Sequence, residues 1–171
     1  MIFNLFRKPA IPPDAVLEAY RSIVAQSRQV RFFTEWGIAD TVTGRFDMVS
    51  LHLALMLRRF RAEPAAEAFA QALVEFFFKD MDRSVRELGV SDLGVPKKVK
   101  TMGDIFYGLM SVLTPAIDSA DPGRVEEVLV RNIYGAPHEG AAQLARYLIE
   151  EAQRLGTRPL AELTFATGAA A

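Results

Sequence analysis

The chain contains no cysteine, and only two histidines occur among its 171 residues. Without cysteine there can be no disulfide bond, thiolate metal site or cysteine nucleophile. The two histidines, His52 and His138, lie far apart in the sequence and lack the close spacing of a helical metal-binding pair. They also offer no basis for a Ser-His-Asp arrangement. We therefore expect no catalytic residue, no metal site and no cofactor.

An excess of charge of one sign and long apolar runs are missing as well. The formal net charge is −1, so we expect no DNA binding. Charged residues such as Arg58 and Arg59 interrupt the apolar stretches, and no segment predicts a membrane span. Residues 1–12 carry apolar side chains ahead of Arg7 and Lys8, the reverse of a secretory signal. We predict an N-terminal tail there, with a membrane-surface foot as the alternative.

The alternation of apolar and polar residues that is typical of strands is absent, and helical periodicity takes its place. We predict an all-α fold, a single-domain bundle of about six helices, with a helical domain over residues 13–156 and a C-terminal tail over 157–171. The expected helices cover about 13–33, 46–61, 64–88, 96–120, 121–134 and 139–155. Pro115 is expected to kink or shorten the fourth helix, and Val112 is expected on its apolar side. One further turn over 159–165 is expected to dock.

The predicted second helix, about 46–61, is apolar nearly all round and should be the central helix. Within it, we interpret His52 as a core histidine whose ring nitrogens bond to neighbours. A haem site that includes Met48 and Met56 is the alternative, because residues four apart share a helix face. In the loop before this helix, Gly44 is predicted to take a positive φ, and Arg45 and Asp47 are expected to pin the loop.

The stretch from Asp80 to Met102 is unusually dense in charge. Its first part ends a helix at Gly89, which is predicted to be a left-handed cap. Ion pairs at helical spacing are expected there. The expected pairs are Asp80 with Arg83, Asp82 with Arg86, and Arg83 with Glu87. Its second part begins a helix at Pro96, followed by three lysines, in a position where the helix dipole disfavours positive charge. A local preference broken in this way indicates a functional surface.

Four blocks of this chain resemble the ubiquinol–cytochrome c chaperone family, whose members assist the assembly of respiratory complex III. The blocks are IVAQSR at 23–28, DTVTGRFDMVSLHLALMLRR at 40–59, FKDMDRSVRELGVSDLGVPKKVKTM at 78–102, and RNIYG at 131–135 with LARYL at 144–148. Together they extend over most of the chain, and the third block is the most specific.

The resemblance implies a non-enzymatic assembly chaperone that binds newly made cytochrome b. It also implies the ribosome near its tunnel exit as a further partner, and the membrane surface is compatible with it. The short N-terminus is what a bacterial member should have, which places the protein in the bacterial cytoplasm or peripherally on the inner face of the cytoplasmic membrane. The competing interpretation is a helical carrier for a small molecule such as a quinone, a lipid or haem.

On the chaperone interpretation, the client or partner would bind around the charge-dense stretch. The hypothesis assigns a basic rim to Arg83, Arg86, Lys97, Lys98 and Lys100. In this hypothesis, the neighbouring turn is shaped by Asp92, Leu93 and Val95, and Tyr107 lines the adjoining groove. The alternative for the lysines is ordinary solvated charge.

Overall fold

Seven α-helices and three short helical turns make up residues 12–163, the part of the chain that the computed structural model describes. The α-helices are α1 Pro13–Ser27, α2 Val30–Thr34, α3 Val42–Arg61, α4 Glu67–Glu87, α5 Val95–Asp118, α6 Pro122–Leu129 and α7 Glu139–Thr157. The turns are Pro64–Ala66 before α4, a π-helical turn Val130–Tyr134 after α6, and Leu160–Glu162 after α7. The predicted all-α class is confirmed. Within the described residues, no helix is both long enough and apolar enough to cross a bilayer.

The central element is α3, which packs against α1, α4, α5 and α7. Every residue from Ser50 to Met56 is buried, so no face of this stretch is left for solvent. A helix surrounded in this way can be apolar on all sides because each side has a protein partner. The prediction of a central apolar helix is confirmed.

Two predicted helix bounds near the N-terminus are wrong. The first predicted helix is broken after Ser27, because Gln29 takes an extended backbone conformation with ψ 131°. The second begins at Val42, where the Thr41 hydroxyl accepts a hydrogen bond from the Gly44 N–H at 3.1 Å. Gly44 therefore lies inside α3 and has no positive φ. A Cβ there would lie 2.0 Å from the Ala39 carbonyl oxygen, so close packing explains this glycine.

Arg45 and Asp47, which were expected to pin the loop before the second predicted helix, differ in their contacts. Arg45 Nε lies 2.7 Å from an Asp40 carboxylate oxygen, in an exposed ion pair across the start of α3. Asp47 is half-buried and has no hydrogen-bond partner among the described residues. Burial raises the pKa of Asp47 to about 6.

Other helix ends follow the sequence signals. Gly89 and Gly135 take left-handed conformations, with φ 79° and 73°, and end α4 and the π-helical turn. Asp121 caps α6 by accepting a hydrogen bond from the Gly123 N–H at 2.9 Å. Helix α5 continues past Pro115 to Asp118, so the proline does not end it. The predicted last turn is present at Leu160–Glu162, and residues 164–165 lie outside the described residues.

A chain of hydrogen bonds holds His52 in the core. Its Nδ1 lies 2.7 Å from the Met48 carbonyl oxygen, which can only accept, so Nδ1 carries the proton. Neutral Nε2 then accepts from the Tyr147 hydroxyl at 2.7 Å, and Tyr147 in turn accepts from the Gln26 amide at 2.8 Å. The core-histidine interpretation is confirmed. Both ring nitrogens are engaged, so this geometry leaves His52 no nitrogen for haem iron.

A tight corner joins the segment after α2 to the start of α7. The Tyr134 hydroxyl donates to the Trp36 carbonyl oxygen at 2.8 Å, and the Tyr134 ring stacks on His138 at 4.9 Å between centroids. Gly140 faces the same carbonyl group, and a Cβ on it would lie 1.9 Å from the Trp36 oxygen. The RNIYG block therefore has a structural role in this corner.

Candidate partner-binding surface

The turn between α4 and α5 is held by backbone hydrogen bonds. The N–H groups of Gly94 and Val95 both donate to the Ser91 carbonyl oxygen, at 2.7 and 3.1 Å. Val95 is fully buried beneath the turn, whereas Leu93, at the tip of the turn, is 95% exposed. Val95 therefore supports the shape of the turn, and Leu93 is the residue that can contact a partner.

Arginine side chains on α4 are held in ion pairs. Arg86 lies 2.7 Å from Asp82 on its own helix and 2.6 Å from Asp92 in the turn, so it ties the turn to α4. The hydrogen bond to Asp82 raises the pKa of Arg86 above its usual value. Arg83 lies 2.5 Å from Asp80 and 3.8 Å from Glu87. All three ion pairs expected on this helix are confirmed.

Asp80 also connects this surface to α1. The Tyr20 hydroxyl donates to the second Asp80 carboxylate oxygen at 2.9 Å. Burial and the neighbouring carboxylate raise the pKa of Tyr20 well above its usual range. This hydrogen bond gives Asp80 a structural role, because it fixes α4 against α1.

The three lysines of α5 differ in their charge environment. Lys100 lies 2.7 Å from Asp104 in an ion pair. Lys97 and Lys98 are exposed, and neither has an ion-pair partner within the part of the chain that the structure describes. Of the predicted basic rim, only these two residues carry a charge that no neighbouring carboxylate offsets. We call them the lysine pair.

Tyr107 lies apart from the lysine pair. It follows Lys97 by ten positions on the same helix, or about 15 Å along the axis at 1.5 Å per residue. Its ring is 48% exposed and packs beside Phe78 and Phe106, with centroids 6.0 and 5.3 Å away. Gly103 makes room for Phe78, since a Cβ there would lie 2.9 Å from that ring. The structure thus places Tyr107 over an α4–α5 seam and away from the turn.

An apolar face of α5 is exposed that the sequence did not predict. Ile105 is 52% exposed and Val112 is 42% exposed, with the exposed Gly108 between them. We call these three residues the α5 stripe. Their spacing of three and four continues the helix face that starts at Lys97. The expectation that Val112 packs inward is wrong, and its seven-residue spacing from Ile105 is the signal that could have revealed the stripe.

A sequence model of the ubiquinol-cytochrome C chaperone family matches residues 34–169. The crystal structure of the Cbp3 homolog from Brucella abortus is similar in fold, with a TM-score of 0.79. That protein shares 38% sequence identity, over 86% of this chain and 83% of its own. No curated protein matches the chain.

Proposed function

This chain belongs to the ubiquinol-cytochrome C chaperone family, and on that premise we propose that it is a non-enzymatic chaperone whose client is newly made cytochrome b. Membership supports a role in complex III assembly. The choice of client is our inference. It rests on the kind of surface that a chaperone for an apolar membrane protein requires.

The α5 stripe is the observation that carries the proposal. An exposed apolar surface bordered by polar residues is typical of a site that binds another protein. Here two large apolar side chains share a helix face that begins at Lys97. Such a surface suits a client that has an apolar chain and needs no chemical step.

The lysine pair and Leu93 suit a second contact. Two unpaired positive charges beside an exposed leucine are complementary to a negatively charged surface with apolar character. We assign this contact to the ribosome near its tunnel exit or to the inner face of the cytoplasmic membrane. Arg86 contributes by tying the turn to α4 through Asp92, and Lys100 forms an ion pair within α5, whereas the ion pairs of Arg83 lie within α4.

An affinity pull-down of the tagged protein from native membranes, analysed by mass spectrometry, tests the client. We expect cytochrome b to be enriched over the other subunits of complex III. Recovery of no respiratory subunit, together with a bound lipid or quinone, would overturn the chaperone proposal in favour of a small-molecule carrier. A variant with Arg124→Glu, which changes an exposed charge on α6, is the control for unspecific charge effects.

A further inference from the structure

Four exposed aliphatic side chains outside the α5 stripe lie at helix ends or in the turn between two helices. Each of them is more than half exposed. Val30 begins α2 and Val42 begins α3, while Leu88 directly follows α4 and Leu93 lies in the turn to α5. The directions in which the helices run determine whether these side chains share one surface.

Ring contacts show that α3 and α4 run in opposite directions. Phe60, near the end of α3, lies 5.4 Å from Phe69, near the start of α4, measured between ring centroids. Phe46, near the start of α3, lies 6.0 Å from Phe77 in the middle of α4. The start of α3 is therefore beside the second half of α4. Val42 consequently lies at the end of the bundle that holds the α4–α5 turn.

Helix α1, in contrast, runs in the same direction as α4. Ala15, near the start of α1, lines a groove together with Phe69. Tyr20, further along α1, donates its hydroxyl hydrogen bond to Asp80, which lies further along α4. The end of α1 is thus beside the end of α4, and Val30 follows shortly after it. All four aliphatic side chains therefore share one end of the bundle, which we call the turn end.

Basic side chains without a carboxylate partner accompany the aliphatic ones at the turn end. The lysine pair is in the first turn of α5, and Arg28 directly follows α1. All three basic residues are exposed, and none forms an ion pair within the described residues. Arg45 and Arg86, which also lie at this end, are already held in ion pairs. The charge that remains available beside the α4–α5 turn is therefore positive.

Two unpaired carboxylates lie at the same end, on its other side. Glu35 and Glu139 are exposed and, in the described part of the chain, form no ion pair. Glu35 directly precedes Trp36, and Glu139 is the first residue of α7, so both belong to the Trp36 corner. Helix α7 packs mainly on α3 and α6, whereas α4 packs mainly on α1 and α5. The negative charge thus lies on the α7 side and leaves the α4–α5 side positive.

An anionic bilayer surface matches both properties of the turn end. Its headgroups attract lysine and arginine, and aliphatic side chains can enter the boundary between headgroups and acyl chains to a depth of about 5–10 Å. Because packed helices lie about 8–10 Å apart, the four aliphatic side chains are spread over the end of the bundle. A fluid bilayer covers such separate side chains without a matching shape. The phosphates of ribosomal RNA would bind the charges but leave the aliphatic side chains in water.

We propose that the turn end binds the surface of an anionic phospholipid bilayer. Leu88 and Leu93 enter the boundary region, and the lysine pair and Arg28 bind lipid phosphates. The inference rests on the proposed function and deepens it, because it selects the membrane from the two partners assigned to the lysine pair. Ile105 lies eight positions beyond Lys97, or about 12 Å along α5 at 1.5 Å per residue. The α5 stripe therefore stays outside the boundary region and open to a client.

Sedimentation of the full chain with vesicles of phosphatidylcholine and phosphatidylglycerol tests the proposal. We expect binding that weakens as salt is added and that is severalfold weaker on phosphatidylcholine alone. Leu88→Ser with Leu93→Ser should weaken binding about tenfold, because less apolar surface leaves water on binding. Ile105→Ser with Val112→Ser is the matched control. It removes the same number of exposed apolar side chains from the α5 stripe and should bind as the wild type does.

A label in the α4–α5 turn gives a second measurement. The chain has no cysteine, so Leu93→Cys can be labelled at that position alone with a dye whose emission shifts to the blue in apolar surroundings. We expect this shift when anionic vesicles are added. The same dye on Val112→Cys should show no shift, because the α5 stripe stays in water.

Three outcomes would overturn the proposal. The first is binding to purified ribosomes without binding to the anionic vesicles. The second is an equal loss of vesicle binding in the leucine variant and in its matched control. The third is vesicle binding that the leucine variant keeps and that Phe3→Ser with Phe6→Ser abolishes, since that result would assign the contact to the N-terminal tail, which lies outside the described residues.

The leucine variant and the pull-down keep these outcomes separate from other causes. If Leu88→Ser with Leu93→Ser does not fold, Leu93→Ser alone replaces it, because Leu93 is exposed at the tip of the turn. Recovery of cytochrome b by a protein that does not bind vesicles would overturn this inference alone. Recovery of no respiratory subunit would overturn the proposed function, whatever the vesicles show.

Discussion

At the scale of single residues, His52 links the stability of the fold to pH. Burial lowers its pKa from 6.5 to about 4. The unfolded chain therefore takes up a proton at this residue as the pH falls below about 6.5, while the folded chain resists it down to about 4. The contribution of neutral His52 is present above pH 6.5 and is lost progressively between these two values. At 1.36 kcal/mol per pKa unit, the loss reaches about 3 kcal/mol.

Asp47 acts in the opposite direction over nearly the same range. Its pKa is raised from 3.8 to about 6, so the folded chain binds this proton before the unfolded chain does, and stability rises as the pH falls through 6. We expect urea unfolding of the wild type to show a small net change between about pH 7 and about pH 5. Asp47→Asn should make the loss of stability towards acid pH steeper. His52→Gln should have the opposite effect, so that stability rises as the pH falls. Parallel pH profiles in all three proteins would contradict this assignment.

Gly140 offers a test of the corner between Trp36 and α7. A Cβ at this position would lie 1.9 Å from a backbone oxygen, and backbone cannot move aside as a flexible side chain can. We expect Gly140→Ala to lower the free energy of unfolding by about 2–4 kcal/mol, measured by chemical denaturation.

Gly108→Ala is the control for that substitution. Gly108 is also helical, but a Cβ on it would meet nothing within 4 Å. Alanine there should raise stability by about 0.5–1 kcal/mol, because the unfolded chain loses conformational freedom. If both variants are destabilised equally, loss of glycine alone, and not the close contact at the corner, would be the cause.

Single-residue features were predictable from the sequence when the partners lie close in the chain. The Asp82–Arg86 pair follows from helical spacing alone. The Tyr147 hydroxyl that bonds to His52 could not be predicted, because 95 positions separate the two residues and their meeting depends on the packing of α3 against α7.

At the scale of elements, α5 carries two separable surfaces. The lysine pair lies in its first turn, and the α5 stripe lies further along. Lys97→Glu with Lys98→Glu should weaken sedimentation with ribosomes or with anionic vesicles severalfold, because two attractive charges become repulsive. The midpoint of thermal unfolding should stay nearly unchanged, since neither lysine has an ion pair in the described structure. If sedimentation is unaltered, the lysines do not bind a partner and are ordinary solvated charges.

The α5 stripe should respond in a different assay. Ile105→Ser with Val112→Ser removes two large exposed apolar side chains, each of which can contribute about 1–2 kcal/mol when a partner covers it. Recovery of cytochrome b in the pull-down should fall at least tenfold, while the charge-reversed lysine variant retains direct client binding in vitro. Full recovery of the client by the serine variant would place the client site elsewhere.

Element boundaries show what sequence patterns can and cannot predict. Gly89 and Asp121 mark helix ends through local backbone chemistry. The left-handed cap at Gly89 was predicted correctly, and the predicted range 121–134 placed the start of α6. The break after Ser27 was missed because apolar residues keep a helical spacing across it, and α2 still buries Phe32. Val112 was misplaced because an outward apolar residue and an inward one look alike in a short pattern.

At the scale of the whole molecule, the fold class and the central helix followed from the sequence, and so did the family. Periodicity predicted which segments are helical, and the apolar character of 46–61 predicted which of them is enclosed. The basic rim was predicted as one surface, but ion pairs neutralise three of its five members. Periodicity describes one helix at a time, so the contacts that different helices make with one another could not be predicted from it.

The contacts of α7 also have a consequence for how the protein is made. Among the described residues, this helix is synthesised after every other long helix, yet it covers α3 and supplies the hydroxyl that bonds to His52. The corner at Trp36 likewise cannot form until Tyr134, 98 positions later, has been synthesised. Until those residues leave the ribosome, the central helix α3 has one side uncovered. During translation, α3 therefore stays partly uncovered from the time it is made until α7 follows it.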